Sequence, residues 1–230
     1  MANILNIDTS SSICSVALAS DREIMLGFES SQKMDHSTSL APFVEKCMEY
    51  VRSNSLKLDA ISVVAGPGSY TGLRIGYSMA KGLAFGLDIP ILALSSLEVM
   101  TVRAIFTDPE FTGQELIVPM MDARRLEVYT AVFDSGLKKI GDEKALILNE
   151  NSFKDLYDKE KVIFIGDGTE KFKELYKGKN ALWLGNGMPH AKYMTTLSEK
   201  KFKDKNFADP AYSTPVYLKE YQATTPKNKL

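Results

Sequence analysis

Val63-Val64-Ala65-Gly66-Pro67-Gly68-Ser69-Tyr70-Thr71-Gly72-Leu73-Arg74-Ile75-Gly76 is the stretch on which the fold of this chain turns. A β-branched run enters a Gly/Pro loop, and the loop opens a helix built largely of small residues. Helix N-termini present free backbone N–H groups, so such a loop is a natural place for an anion. The spacing departs from the common phosphate loops. A dinucleotide fingerprint needs G-x-G-x-x-G, and here the third glycine, Gly72, comes one residue late. A Walker loop needs Gly-Lys-Ser/Thr, whereas Gly72 is followed by Leu73 and Arg74. Two readings stand: a tight turn into a closely packed helix, or a phosphate site.

Working outward, 230 residues accommodate one large or two small domains, and 44% apolar with 10% aromatic residues supports a substantial core. The net charge of −1 supplies no global basic field for nucleic acid or anionic membrane. Cys14 and Cys47 sit inside apolar patterns and read as buried thiols, not a disulfide, which fits a reducing compartment. The N-terminus lacks a signal-peptide core, and no apolar run approaches the ~20 residues of a membrane span. The expectation is a cytoplasmic protein without a membrane partner.

The pattern predicts strands at 4–8, 13–19 and 23–29 as a meander. A helix follows from Thr38 or Ser39 with Pro42 in its first turn, where a missing N–H is tolerated. A buried strand at 61–65 leads through the glycine loop into a helix ending near Gly86. A short strand at 90–94 and a helix capped by Ser95 or Ser96 complete the first half. The second half repeats the plan: strands at 116–121, 126–134 and 144–148, a short helix capped by Ser152, then a strand at 162–165. There Gly166-Asp167-Gly168 opens a helix at 169–176, and a further helical stretch spans about 189–202. The order of elements implies α/β architecture with a duplicated actin/Hsp70/hexokinase-like (ASKHA) fold. Each of two subdomains, 1–110 and 111–230, would carry a mixed sheet flanked by helices, with the tail free to return to the first. The last residues are expected to fray.

The segments Ile4-Leu5-Asn6-Ile7-Asp8-Thr9-Ser10, His36-Ser37, 65–76 and Met121-Asp122-Ala123-Arg124 resemble, in order and spacing, the TsaB (YeaZ) family over most of the chain. The tail Pro215-Val216-Tyr217-Leu218-Lys219 resembles that family's closing motif, with Lys219 where arginine is usual. The resemblance implies a bacterial accessory subunit in formation of N6-threonylcarbamoyladenosine at position 37 of tRNAs reading ANN codons. It implies TsaD, a paralogue, as the catalytic partner, the ATPase TsaE as a further one, and tRNA reached through the complex. It implies no cofactor of the chain's own, with ATP belonging to the assembled complex.

The residues allow a separate test for catalysis. In TsaD, the resemblance implies, a His-x-x-x-His pair on one helix face holds a metal. This chain has two histidines, His36 and His190, far apart and without ligand-spaced partners, so neither a metal site nor a metallopeptidase is expected. Ser69 lies outside any Gly-x-Ser-x-Gly elbow, so no catalytic residue is expected. Asp8, Thr9 and Ser10 end the first strand where actin-like folds meet phosphate, and Gly166 and Gly168 form the second glycine loop. They are the candidate nucleotide-binding residues of the alternative function, an ATP-binding or ATP-hydrolysing actin-like enzyme or kinase. The bland reading is that Asp8 and the hydroxyls satisfy a turn.

Two helices are the candidate partner surface. Gly76, Ala80 and Ala84 recur every four residues, as do Ser78, Gly82 and Gly86, and glycine inside a helix costs roughly 1 kcal/mol relative to alanine. Close approach of another element offsets that cost. The candidate interface residues are Leu40, Phe43, Val44 and Cys47 with Leu73, Gly76, Tyr77, Ala80 and Ala84, meeting TsaD or a second copy as a homodimer. Packing on the chain's own sheet explains the same pattern equally well. Lys192, Lys200, Lys201, Lys203, Lys205, Lys227 and Lys229 either touch tRNA phosphates or form a solvated face.

Overall fold

The computed structural model describes residues 2–31, 36–158 and 160–219. Strands β1 (Asn3–Asp8), β2 (Cys14–Ser20) and β3 (Glu23–Ser30) form an antiparallel meander, followed by helix α1 (His36–Ser53). Strand β4 (Ala60–Gly66), helix α2 (Tyr70–Leu87), strand β5 (Ile91–Ser95) and helix α3 (Ser96–Thr107) come next. The second series runs β6 (Leu116–Asp122), β7 (Glu127–Phe133), β8 (Lys139–Ile147), α4 (Lys154–Tyr157), β9 (Val162–Ile165), α5 (Thr169–Lys173) and β10 (Ala181–Leu184). A 3-10 turn at Ala191–Tyr193 and helix α6 (Thr195–Lys203) close the regular structure.

The first sheet has the order β3-β2-β1-β4-β5 and the second, read from its far edge, β8-β7-β6-β9-β10. In both, the opening strand pairs antiparallel with its successor and parallel with the fourth strand, which pairs parallel with the fifth. The duplication read from element order is therefore present in the pairing itself, and the two mixed sheets flanked by helices are those of the ASKHA fold.

Leu5, Ile7, Val16, Ile61 and Val63 face α1 and α2, while Ala17, Val64 and Leu94 face Val99, Val102, Met194 and Leu197. The first sheet is thus covered on both sides, and β1 and β4 are apolar almost throughout, as strands buried on two faces must be. Helix α3 also meets the second sheet, where Leu97, Met100 and Ala104 pack with Ile117, Phe133 and Ile163. Buried on nearly every side, it is the layer the two sheets share. An aromatic cluster of Phe164, Phe172, Tyr157 and Tyr176 fills the opposite face of the second sheet. After β10 the chain returns to the first sheet, where Phe202 packs with Ile4 and Leu92 and Ala208 bridges Ile91.

Several expectations need correction. Helix α1 starts at His36, so Pro42 lies in the second turn, where it removes one intrahelical hydrogen bond. Ser152 does not cap α4; its hydroxyl accepts from Asn149 N (2.9 Å), and Phe153 occupies the cap position. Strand β10, only four residues long, was not read from the sequence at all. Ser95 does cap α3, accepting from Leu97 N at 3.1 Å. Lys227, Lys229 and the expected fraying end lie outside the described residues.

Candidate functional site

The two sheets turn their loop-bearing edges toward one cleft of about 1720 Å³. One wall is the turn after β1, the 67–72 loop and the start of α1; the other is the β6–β7 hairpin with Asp167, and residues 216–219 run along the side.

On the first wall, the glycine loop is sealed onto the turn after β1. Ser69 N donates to Ser10 O (2.7 Å), and Thr9 Oγ1 donates to Gly72 O (2.7 Å). A Cβ on Gly68, Gly72 or Gly76 would stand within 3.0 Å of Ser10 O, Thr9 O or Thr9 Oγ1 respectively. The glycines are there so that the loop and helix can lie against another stretch of main chain. Ser69 also caps α2, its hydroxyl accepting from Gly72 N at 3.2 Å.

Asp8 sits beneath this seal, fully buried. Its Oδ1 accepts from Ser10 N (2.9 Å) and Ser10 Oγ (2.6 Å), while Oδ2 is buried with no hydrogen-bond partner. Burial, opposed by the Ser10 bonds, pushes its pKa up to about 6. His36 Nε2 donates to Ser11 O (2.7 Å), so the histidine orders the turn from the first residue of α1.

The second wall repeats the device. Gly168 N donates to Met120 O (3.0 Å) and Gly166 N to Leu184 O (3.0 Å), and a Cβ on Gly166 would fall within 3.0 Å of Met120 O. Asp167 Oδ1 accepts from Asp122 N (2.8 Å), and burial foremost raises its pKa. Asp122 Oδ1 in turn accepts from Arg124 N (2.5 Å) and Lys171 Nζ (2.7 Å). Arg124 and Arg125 both have positive φ, +72° and +53°, in the hairpin facing the cleft.

These distances bear directly on the five candidate nucleotide-binding residues. Asp8, Thr9 and Ser10 lie on one wall and Gly166 and Gly168 on the other, as the duplication requires. The N–H groups of Ser69, Gly72, Gly166 and Gly168 already donate to the chain's own oxygens. Those four donors serve the packed turns and are not available to a phosphate. Among the described residues, no group of three or more His, Cys, Asp or Glu could hold a metal. His190 is committed elsewhere, with Nε2 on Glu29 Oε2 (2.5 Å) and Nδ1 accepting from Lys192 N (3.1 Å).

The candidate interface residues lie mostly inside the chain. Leu40, Val44, Cys47, Leu73, Tyr77, Ala80 and Ala84 are at most 4% exposed, and Gly76 is buried on Thr9. They form the inner faces of α1 and α2 on the first sheet; Phe43 is half-buried and stacks on Phe28. The outward face of α2 carries Arg74, Ser78, Gly82 and Phe85, with half-buried Ile75, Met79 and Leu83 beside them. Nothing stands within 4 Å of a Cβ built on Gly82 or Gly86. A shallow groove lined by Ser37, Tyr70, Ile75 and Met79 runs between the two helices. Periodicity identified both stripes, Gly76-Ala80-Ala84 and Ser78-Gly82-Gly86, but not which of them faces outward. Of the lysines, Lys201 donates to Ala93 O (2.5 Å), and Lys200 and Lys203 pair with Asp204 and Glu199.

Comparisons with known proteins agree with this architecture. A family model described as "TsaD: tRNA N6-adenosine threonylcarbamoyltransferase" matches residues 28–225. The tRNA threonylcarbamoyladenosine biosynthesis protein TsaB of Bacillus subtilis is 36% identical over 171 residues, 72% of this chain and 71% of that protein. The Escherichia coli protein of the same name is 33% identical over 147 residues, 63% of this chain and 62% of that protein. A Pseudomonas aeruginosa structure described as similar to peptidase YEAZ superposes with a TM-score of 0.82 at 26% identity, covering 95% of this chain and all of that one. A second structure, YeaZ from the same organism, gives 0.80 at 27%, with the same coverage.

Proposed function

This chain belongs to the TsaB (YeaZ) family, and from that premise we propose that it is a non-catalytic subunit that supports a TsaD threonylcarbamoyltransferase in forming N6-threonylcarbamoyladenosine on tRNA. The observation that carries the proposal is the outer face of α2. Gly82 and Gly86 meet nothing there, and half-buried Ile75, Met79 and Leu83 lie alongside. Glycine in an exposed helix position weakens the helix, and a partner helix approaching closely offsets that weakness. The same face on a second copy would make an isologous homodimer that competes with the TsaD complex. TsaE and tRNA join, in this proposal, through that complex. The division into subdomains at residue 110 is part of the same reading, with the chain after β10 returning to the first sheet.

Size-exclusion chromatography with light scattering tests it, using this chain with and without TsaD of the same organism. Wild type is expected to form a heterodimer, and Gly82→Arg, placed where the fold has open space, to abolish it. Association unaffected by the arginine would move the interface away from α2. No association at all would overturn the accessory role.

A further inference from the structure

Residues 209–219 form no helix or strand, yet they are fastened along their length. The segment leaves β5 at Ala208, whose N–H donates to Ile91 O (2.8 Å). Lys81 Nζ of α2 then donates to Ala211 O (3.2 Å). At the end of β4, Val216 N donates to Ala65 O (2.7 Å), and Val216 O fills the space where a Cβ on Gly66 would be. Tyr217 lies 5.0 Å from the Tyr70 ring, and its hydroxyl accepts from Arg74 Nε (3.1 Å). Arg74 in turn stacks 4.2 Å from the Tyr70 ring centre. Two residues later, Lys219 pairs with Glu127, the first residue of β7 in the other sheet.

We propose that residues 215–219 are a strap that joins the two walls along the side of the cleft, anchored to the first sheet by Val216 and Tyr217 and latched to the second by the Lys219–Glu127 pair. The latch sets how far apart the two cleft walls stand. Val216 and Tyr217 are 47% and 40% exposed, so polar contacts and one tilted ring contact hold the strap, not burial. Segments held this way open at low free energy, well below that of global unfolding. Releasing the strap widens the cleft and removes the Tyr217 contacts of Tyr70 and Arg74 at the start of α2. The strap therefore couples the cleft opening to the N-terminal turn of that helix.

The test uses the full chain alone, so it does not depend on the proposed partner. Spin labels go on exposed Ser53→Cys and Asn151→Cys, one on each sheet's side; the native thiols Cys14 and Cys47 are buried. Wild type is expected to give one narrow distance distribution. Lys219→Glu and Glu127→Lys should each broaden it and shift it, and the charge-swapped double variant should restore it. Tyr217→Ala, which loosens the other end of the strap, should broaden it with the latch residues intact. Raising the ionic strength should act in the same direction as the single reversals, since screening weakens a partly exposed pair. Single reversals that leave the distribution unchanged would overturn the latch. So would a double variant that stays as broad as the singles.

Discussion

Asp8 and the helix glycines show how much a single position can carry. The folded-state pKa of Asp8 is about 6, against 3.8 for the free group. Between those values the folded chain binds more protons than the unfolded one, so stability falls as pH rises from about 4 to 6 and stays lost above. Asp8→Asn removes the titration. The variant should be more stable than wild type at pH 7 to 8, by an amount of order 1–3 kcal/mol that shrinks toward pH 4, as urea denaturation across pH would read. A difference that does not vary with pH would show that Asp8 titrates normally. Gly72 and Gly82, ten positions apart on one helix, should respond in opposite directions. Gly72→Ala forces a Cβ onto Thr9 O and should cost about 1–3 kcal/mol or more. Gly82→Ala enters open space and should gain about 0.5–1 kcal/mol. The same denaturation measurement separates them.

At the scale of elements, α2 was legible as a helix, and so was its beginning. Ser69 caps it, and the loop before it packs as tightly as the spacing of Gly66, Gly68 and Gly72 implied. Its apolar stripe was equally visible, but a stripe specifies only that something covers it. The first sheet does, so Ala80 is fully buried. An arginine there places a charge in the core and should destabilise the chain by several kcal/mol, whereas Gly82→Arg should unfold at or somewhat above the wild-type midpoint. Thermal melts of the two variants should differ for that reason, before any partner is added. Strand β10 was not legible. β9 is as short but fully buried, whereas the four residues of β10 are all half-buried and show no alternation; this strand exists because β9 presents an edge for it to pair with in parallel.

For the molecule as a whole, a cleft between two sheets is where a small ligand would sit. Here Ser69, Gly72, Gly166 and Gly168 of the two glycine loops have already given their N–H groups to Ser10, Ser69, Leu184 and Met120. Millimolar Mg-ATP should leave the melting temperature of the isolated chain unchanged. A ligand at a hundredfold excess over its Kd would add about 2.7 kcal/mol and raise the midpoint by several degrees. Such a rise would return the ATP-binding alternative to first place.

The kinds of elements, their order, the repetition of one plan in two halves, and the family resemblance carried by residues 4–10, 65–76 and 121–124 are all legible in the amino-acid sequence. Those features are local, written in periods of two and 3.6, in caps and in glycine spacing. The folded arrangement sets which face of α1 and α2 is inward, that α3 is shared by two sheets, and that four of the loop donors are already used. It also sets that Arg124, Arg125, Asp167 and residues 216–219 share one cleft with Ser10 and His36. Each of these depends on contacts between segments far apart in the chain. Local pattern records that a residue needs a neighbour; only the folded arrangement supplies which one.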